Sequence, residues 1–406
     1  MKYFSLVFIL LFPFYTQAQK KKESAVKLKL SGFVKTDYIF DTRQNAEARE
    51  GFYIAYPKPI VLDANGIDIN DFASANQYAM TTRLGLTATG PEILQAKSKA
   101  YIETDFTGPS NMQNNALRLR HAYIRLDWEN TSFLMGQYWH PLDVPEMMPM
   151  VLSLNSGAPM HSFSRGPQIR VTQKTGAFNW IAVVYSQRDY ASNGPNGYSN
   201  QYLRNSAIPD LSLQLHYSNR LVFAGAGINY KQLNYRSFTL DNKLLNDDIS
   251  SLSAIAFIKL ENKKWDARLE AVWGENLYDH LMLGGVAIAQ IDSVHAQISY
   301  TNLPAASIWG TFNYKFKKLK VGVFGGYIKS LGSSEIISGP VYARGFDIDY
   351  IYRISPQLSY KIKNLILANE WEYTVAAYGE PDAYGKVQNS YEVGNLRFTL
   401  SLIYLL

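Results

Sequence analysis

The 406-residue chain contains no cysteine. That excludes a disulfide scaffold, thiolate metal sites, a cysteine nucleophile and a lipid-anchored N-terminal cysteine. Charge is also sparse. Only 18% of residues are Asp, Glu, Lys or Arg, and the net charge of +6 is dispersed rather than gathered into a stripe, so no nucleic-acid partner is expected. Beyond the first fifteen residues no apolar run approaches the ~18 residues that a membrane helix needs. There is no Walker loop, and Gly225-Ala226-Gly227 lacks the third glycine of a dinucleotide fingerprint. The six histidines (121, 140, 161, 216, 280 and 295) fall at no metal-ligand spacing, and no GxSxG elbow occurs. The sequence therefore nominates no catalytic residue, no metal and no cofactor.

Hydrophobic residues at 47% and aromatics at 14%, led by 29 Tyr, supply ample material for ordered, β-rich structure. The N-terminus reads Met1-Lys2, then an apolar stretch over Tyr3–Tyr15, then a small residue at Ala18. This is the pattern of a secretory signal peptide, with cleavage expected after Ala18. A short polar segment over 19–29 follows, and residues 30–406 form one further domain.

Beyond Lys29 the chain alternates. Trp265, Ala267, Leu269, Ala271 and Trp273 hold every second position, with Asp266, Arg268 and Glu270 between them. Lys97, Lys99, Tyr101, Glu103 and Asp105 alternate with Ala100 and Ile102, and Arg397, Thr399 and Ser401 with Phe398, Leu400 and Leu402. Met80, Thr82, Leu84 and Leu86 read as one face of a continuous strand, with Thr81, Arg83, Gly85 and Thr87 opposite. Strict alternation is a strand with one apolar and one polar face. An exported protein of this kind either turns its apolar faces inward, as a soluble barrel or sandwich, or outward against lipid. The eight residues from Trp265 to Trp273 span ~26 Å of strand, or ~20 Å of height at ~40° tilt, which matches the band between the two aromatic girdles of a membrane barrel. Mid-strand charges require water, and a lumen supplies it.

About sixteen such segments are legible, each near the length of a membrane strand. Tight joints at 218–220, 261–263, 316–318 and 129–131 alternate with long ones at 42–77, 139–166, 190–209, 232–249, 276–304 and 330–344. This predicts an all-β transmembrane antiparallel barrel with short turns at one end and long loops at the other.

Two stretches carry a family resemblance. Leu117–Trp128 (LRLRHAYIRLDW) followed by Phe133–Pro141 (FLMGQYWHP) resembles the DcaP-like trimeric outer-membrane porins, in the version common in the Bacteroidota, and Ser164–Thr172 (SRGPQIRVT) looks like the strand returning from their folded-in loop. The resemblance covers 116–174. It implies a sixteen-stranded homotrimeric barrel in outer-membrane lipid that passes small hydrophilic, often anionic, solutes.

On the assigned lumen faces Arg83, Lys97, Lys99, Arg118, Arg120 and Arg170 lie on neighbouring strands, a basic wall that would concentrate anions. The stretch 139–166, rich in Pro and Met and carrying Asp143 and Glu146, is the expected constriction loop. Within 118–127 the alternation changes phase, which implies either a bulge near His121 or a strand facing a protomer interface. The function expected is passive diffusion through an outer-membrane porin. A barrel-borne hydrolase and a soluble periplasmic β-protein with a binding role are the alternatives.

Overall fold

The computed structural model describes residues 26–239, 241–245, 248–292, 294 and 297–406. The expected signal peptide, most of the 19–29 segment and His295 lie outside them. The alternating segments form one closed antiparallel sheet. We number its strands β1 (Lys27–Asp41), β2 (two segments, Ser74–Tyr78 and Arg83–Thr89), β3 (Lys97–Asp105), β4 (Arg118–Asp127), β5 (Thr131–Trp139), β6 (Arg165–Thr175), β7 (Phe178–Tyr185) and β8 (Asp210–Ser218). The second half comprises β9 (Val222–Leu233), β10 (Ile249–Glu261), β11 (Trp265–Gly274), β12 (Ala305–Phe316), β13 (Leu319–Ser330), β14 (Ile348–Ile362), β15 (Leu365–Pro381) and β16 (Val387–Leu405). Each strand pairs with its sequence neighbours, and β1 closes the barrel by pairing with β16 from Phe33–Leu405 to Asp41–Arg397. Counting the two parts of β2 as one, the barrel has sixteen strands.

The faces sort by polarity as alternation requires. Outward positions such as Ile102, Ile124, Leu213, Ile258, Leu269 and Leu402 are exposed. Their strand neighbours Glu103, Asp266, Glu270, Thr399 and Ser401 turn into the barrel. Outward aromatics meet across strands in two bands. Phe178–Tyr217 and Trp265–Phe312 lie toward the short-turn end, and Tyr327–Tyr350–Tyr352 toward the long-loop end. An apolar belt bounded by aromatic girdles is the surface a bilayer solvates. Among the described residues no helix is long and apolar enough to cross a membrane.

Two sequence expectations need correction at the level of register. First, β2 is not continuous. Residues 79–82 form a turn closed by the Thr82 amide on the Ala79 carbonyl, and Met80 packs inward against Ile39, Phe52 and Tyr78. Second, the phase change in β4 is a bulge: Glu103 pairs with His121 and Thr104 with Leu119, leaving Arg120 as the extra residue. The bulge puts Arg118, Arg120 and His121 all on the inner side and returns Ile124 to the outer one, because one extra residue inverts the parity of everything after it.

The interior is not an open tube. Loop 140–164 folds into the barrel and crosses to the far wall, where Leu142, Val144, Met147 and Met160 pack with Ile255, Phe257, Val272, Trp309, Phe324 and Ile351. These inward apolar residues on β10–β14 interrupt the polar lumen face where the loop docks. Polar contacts fix the loop's far side: the Lys35 ammonium donates to the Leu152 carbonyl at 2.8 Å, Glu370 accepts the Leu152 amide at 2.8 Å, and Arg268 donates to the Met148 carbonyl. A hairpin of Asn45–Ala48 and Tyr53–Pro57, from the loop after β1, enters beside it. Its backbone carbonyls accept from inward arginines, Phe52 from Arg397 at 3.0 Å and Ala55 from Arg353 at 2.9 Å.

Candidate functional site: a cationic neck between two cavities

With much of β10–β16 covered by these two loops, the uncovered lumen lies along β2–β9. A cavity of about 540 Å³ opens on the long-loop side, lined by Arg49, Arg118, Arg344, Glu47, Asp189 and aromatic residues including Tyr53, Tyr56, Phe163 and Tyr190. A second, of about 240 Å³, lies on the other side of loop 140–164 between Arg125, Arg170, His216 and the loop residues Pro141, Val144 and Glu146. On the wall between the levels of the two cavities, Arg118 lines the larger one and Arg120 and Arg165 pack on Trp139, a cluster that forms the neck.

The neck is built by strand register. Strand β3 sets Glu103 and Asp105 two residues apart on its inner face, and the β4 bulge brings two arginines opposite them. Asp105 is fully buried. It accepts from Arg118 Nη2 at 2.8 Å, Arg118 Nε at 3.1 Å, Arg120 Nη1 at 2.9 Å and the Thr107 hydroxyl at 2.8 Å. Glu103 accepts from Arg120 Nε at 2.6 Å and the Tyr101 hydroxyl at 2.8 Å, with Arg83 at 3.7 Å. One step along the wall, Arg165 at the start of β6 is fully buried and stacks 4.6 Å from the Trp139 ring centroid. The wall therefore sets Arg83, Arg118 and Arg120 against Glu103 and Asp105, with Arg165 beside them, a local surplus of positive charge in a low-dielectric shell that focuses its field.

The sequence-nominated residues are distributed unevenly. Arg83, Arg118 and Arg120 meet at the neck. Arg170 lies below it, donating to Gln168 Oε1 at 3.1 Å and facing the Tyr138 ring. Lys99 lies 5.8 Å from the Tyr101 ring centroid, and Lys97 is exposed at the short-turn end of β3. Glu146 is exposed into the smaller cavity opposite Arg170. Asp143 does not face the wall. It is fully buried at the base of the loop and accepts the Ser164 amide at 2.6 Å, and burial pushes its carboxyl well above the usual range. Of the two loop acids, Glu146 faces the cavity and Asp143 does not.

Sequence reasoning missed Arg165, Arg49 and Arg344. Arg165 is quoted in the returning-strand motif, but nothing in a strand's alternation distinguishes a lumen arginine with an acid beside it from one without. Arg49 and Arg344 sit on long loops, where periodicity carries no orientation.

No protein-family model matches this chain, and no curated protein matches it in sequence. Solved structures do. The outer-membrane channel DcaP of Acinetobacter baumannii superposes with a TM-score of 0.68 at 17% identity, over 96% of this chain and 100% of that one. An anion-selective porin from Comamonas acidovorans gives 0.56 at 9% identity, over 94% and 100%. The trimer form of OmpT from Vibrio cholerae gives 0.57 at 10% identity, over 94% and 100%. The chain has the porin fold.

Proposed function

We propose that this protein is a porin of the bacterial outer membrane, exported by residues 1–18 and assembled as a homotrimer, and that it passes small hydrophilic solutes by diffusion with a preference for anions. The porin fold and the apolar belt support the membrane setting. The observation that carries the selectivity is the neck, where Arg83, Arg118, Arg120 and Arg165 gather around Glu103 and Asp105 and the loop that narrows the lumen presses solutes against them. Anion-selective and trimeric proteins among the structures of the same fold agree with this reading. Guanidinium groups suit the task because they are weakly hydrated and offer several donors to carboxylate or phosphate oxygens. A series of them lets an anion move on without being held too tightly to leave.

The test is the zero-current potential of the reconstituted protein under a salt gradient, compared with an R83S/R118S/R120S variant. The variant is expected to lose anion preference, more at low salt than at physiological ionic strength, where screening shortens to ~8 Å. An unchanged potential at low salt removes these arginines from the conduction path.

A further inference from the structure

Arg165 differs from every other arginine at the neck. Arg83, Arg118 and Arg120 each have Glu103 or Asp105 within 4 Å. Arg165 forms no ion pair with a described residue; its Nη2 donates to the Tyr190 hydroxyl at 3.2 Å, and its Nε and Nη1 find no protein acceptor. It is fully buried, caged by the rings of Trp139, Phe163 and Tyr190 at 4.6, 5.2 and 5.6 Å. Phe163 and Tyr190 are also walls of the larger cavity. Two rings therefore separate a fully buried cation, with no carboxylate at ion-pair distance among the described residues, from the larger cavity.

A buried charge without a partner is among the most costly arrangements in a folded chain. Ring faces offset part of that cost. They contribute no counter-charge, so the site remains short of an anion. An anion entering such a cage must shed its own water, since the ring walls replace few of those hydrogen bonds. The return, one guanidinium in a low-dielectric setting, is nearly the same for every monoanion, whereas the dehydration cost differs widely among them. Selection is then set by the cost.

We propose that Arg165, with Trp139, Phe163 and Tyr190, is a specificity-determining anion site that ranks solutes by ease of dehydration, favouring weakly hydrated monoanions over strongly hydrated ones. It rests on the anion-channel reading and adds to it a substrate class: an oxyanion or carboxylate whose charge is diffuse or carried on an apolar body. Sulfate and inorganic phosphate are disfavoured.

The experiment uses the full-length protein in planar bilayers, with thiocyanate, chloride and sulfate as sodium salts. The wild type is expected to show relative permeability in the order thiocyanate, chloride, sulfate, beyond their order of mobility in water. Thiocyanate current should saturate with concentration while chloride current does not. R165M should flatten the order and abolish saturation while Arg83, Arg118 and Arg120 preserve anion over cation preference. F163A, which leaves the guanidinium but admits water to the cage, should flatten the order by itself, and it decides the matter if R165M fails to assemble. A wild type that follows aqueous mobilities, or an order that survives both substitutions, overturns the site and leaves the channel reading intact. A cation-preferring wild type overturns the channel reading instead.

Discussion

Removing the charge of Asp105 tests the neck most directly. Asp105→Asn is nearly isosteric, so packing is retained. The substitution takes one carboxylate from between Arg118 and Arg120 and turns an amide N–H₂ toward donors that previously found an acceptor. Side-chain exposure is 1% for Asp105, 3% for Arg120 and 11% for Arg118, so little water replaces the lost partner. Breaking a buried ion pair costs about 3–5 kcal/mol, and the partial access of water to Arg118 favours the lower end of that range. The strand ladder does not depend on this group. The barrel should therefore still close, and the cost should appear as a lower midpoint of heat-induced conversion from the folded to the unfolded band on cold SDS gels. Because the neck gains one net positive charge, the zero-current potential should move toward stronger anion preference. Asp127→Asn is the control. Its pair with Arg125 is close, at 2.7 Å, but 32% and 44% exposed, and such pairs contribute about 0–1 kcal/mol. If Asp105→Asn matches Asp127→Asn in heat stability, or reduces anion preference, then Asp105 does not balance the neck and the arginine wall is not the selective element.

Leu269 faces outward at mid-strand between Trp265 and Trp273, so Leu269→Arg should cost about 2–4 kcal/mol against lipid and impair assembly. Arg268→Ser, on the opposite face, should leave assembly intact and free the Met148 carbonyl, which raised single-channel noise would report. His140, His161 and His280 are all buried in or against loop 140–164, and burial lowers each to about 3. An unpacked loop takes up their protons below about pH 6.5 and a packed one does not, so the docked loop should lose stability as pH falls from about 6.5 toward 3. The raised Asp143 carboxyl acts in the opposite sense, so Asp143→Asn should steepen the loss. Limited proteolysis between residues 147 and 150 should accelerate from pH 7 to pH 4, and an unchanged rate would refute this.

The sequence by itself determined the barrel. Side chains in a strand alternate with period two, and a closed sheet between lipid and water makes that alternation visible as polarity, so the strands and the outward placement of Leu269 and Leu402 were legible residue by residue. The bulge in β4 showed itself as a phase error for the same reason. The tertiary structure decided what fills the lumen. The apolar residues Ile255, Phe257, Trp309 and Phe324 occupy inward positions that alternation assigns to water, because loop 140–164 docks there, and a loop's path is set by contacts far apart in sequence. The burial of Asp143 and the exposure of Glu146 follow from that docking and not from their spacing. Arg165 makes the same point for the site. Its position on an inner face was readable, but its lack of a carboxylate partner depends on Trp139, Phe163 and Tyr190, residues on two loops and a neighbouring strand, which only the folded chain brings around it.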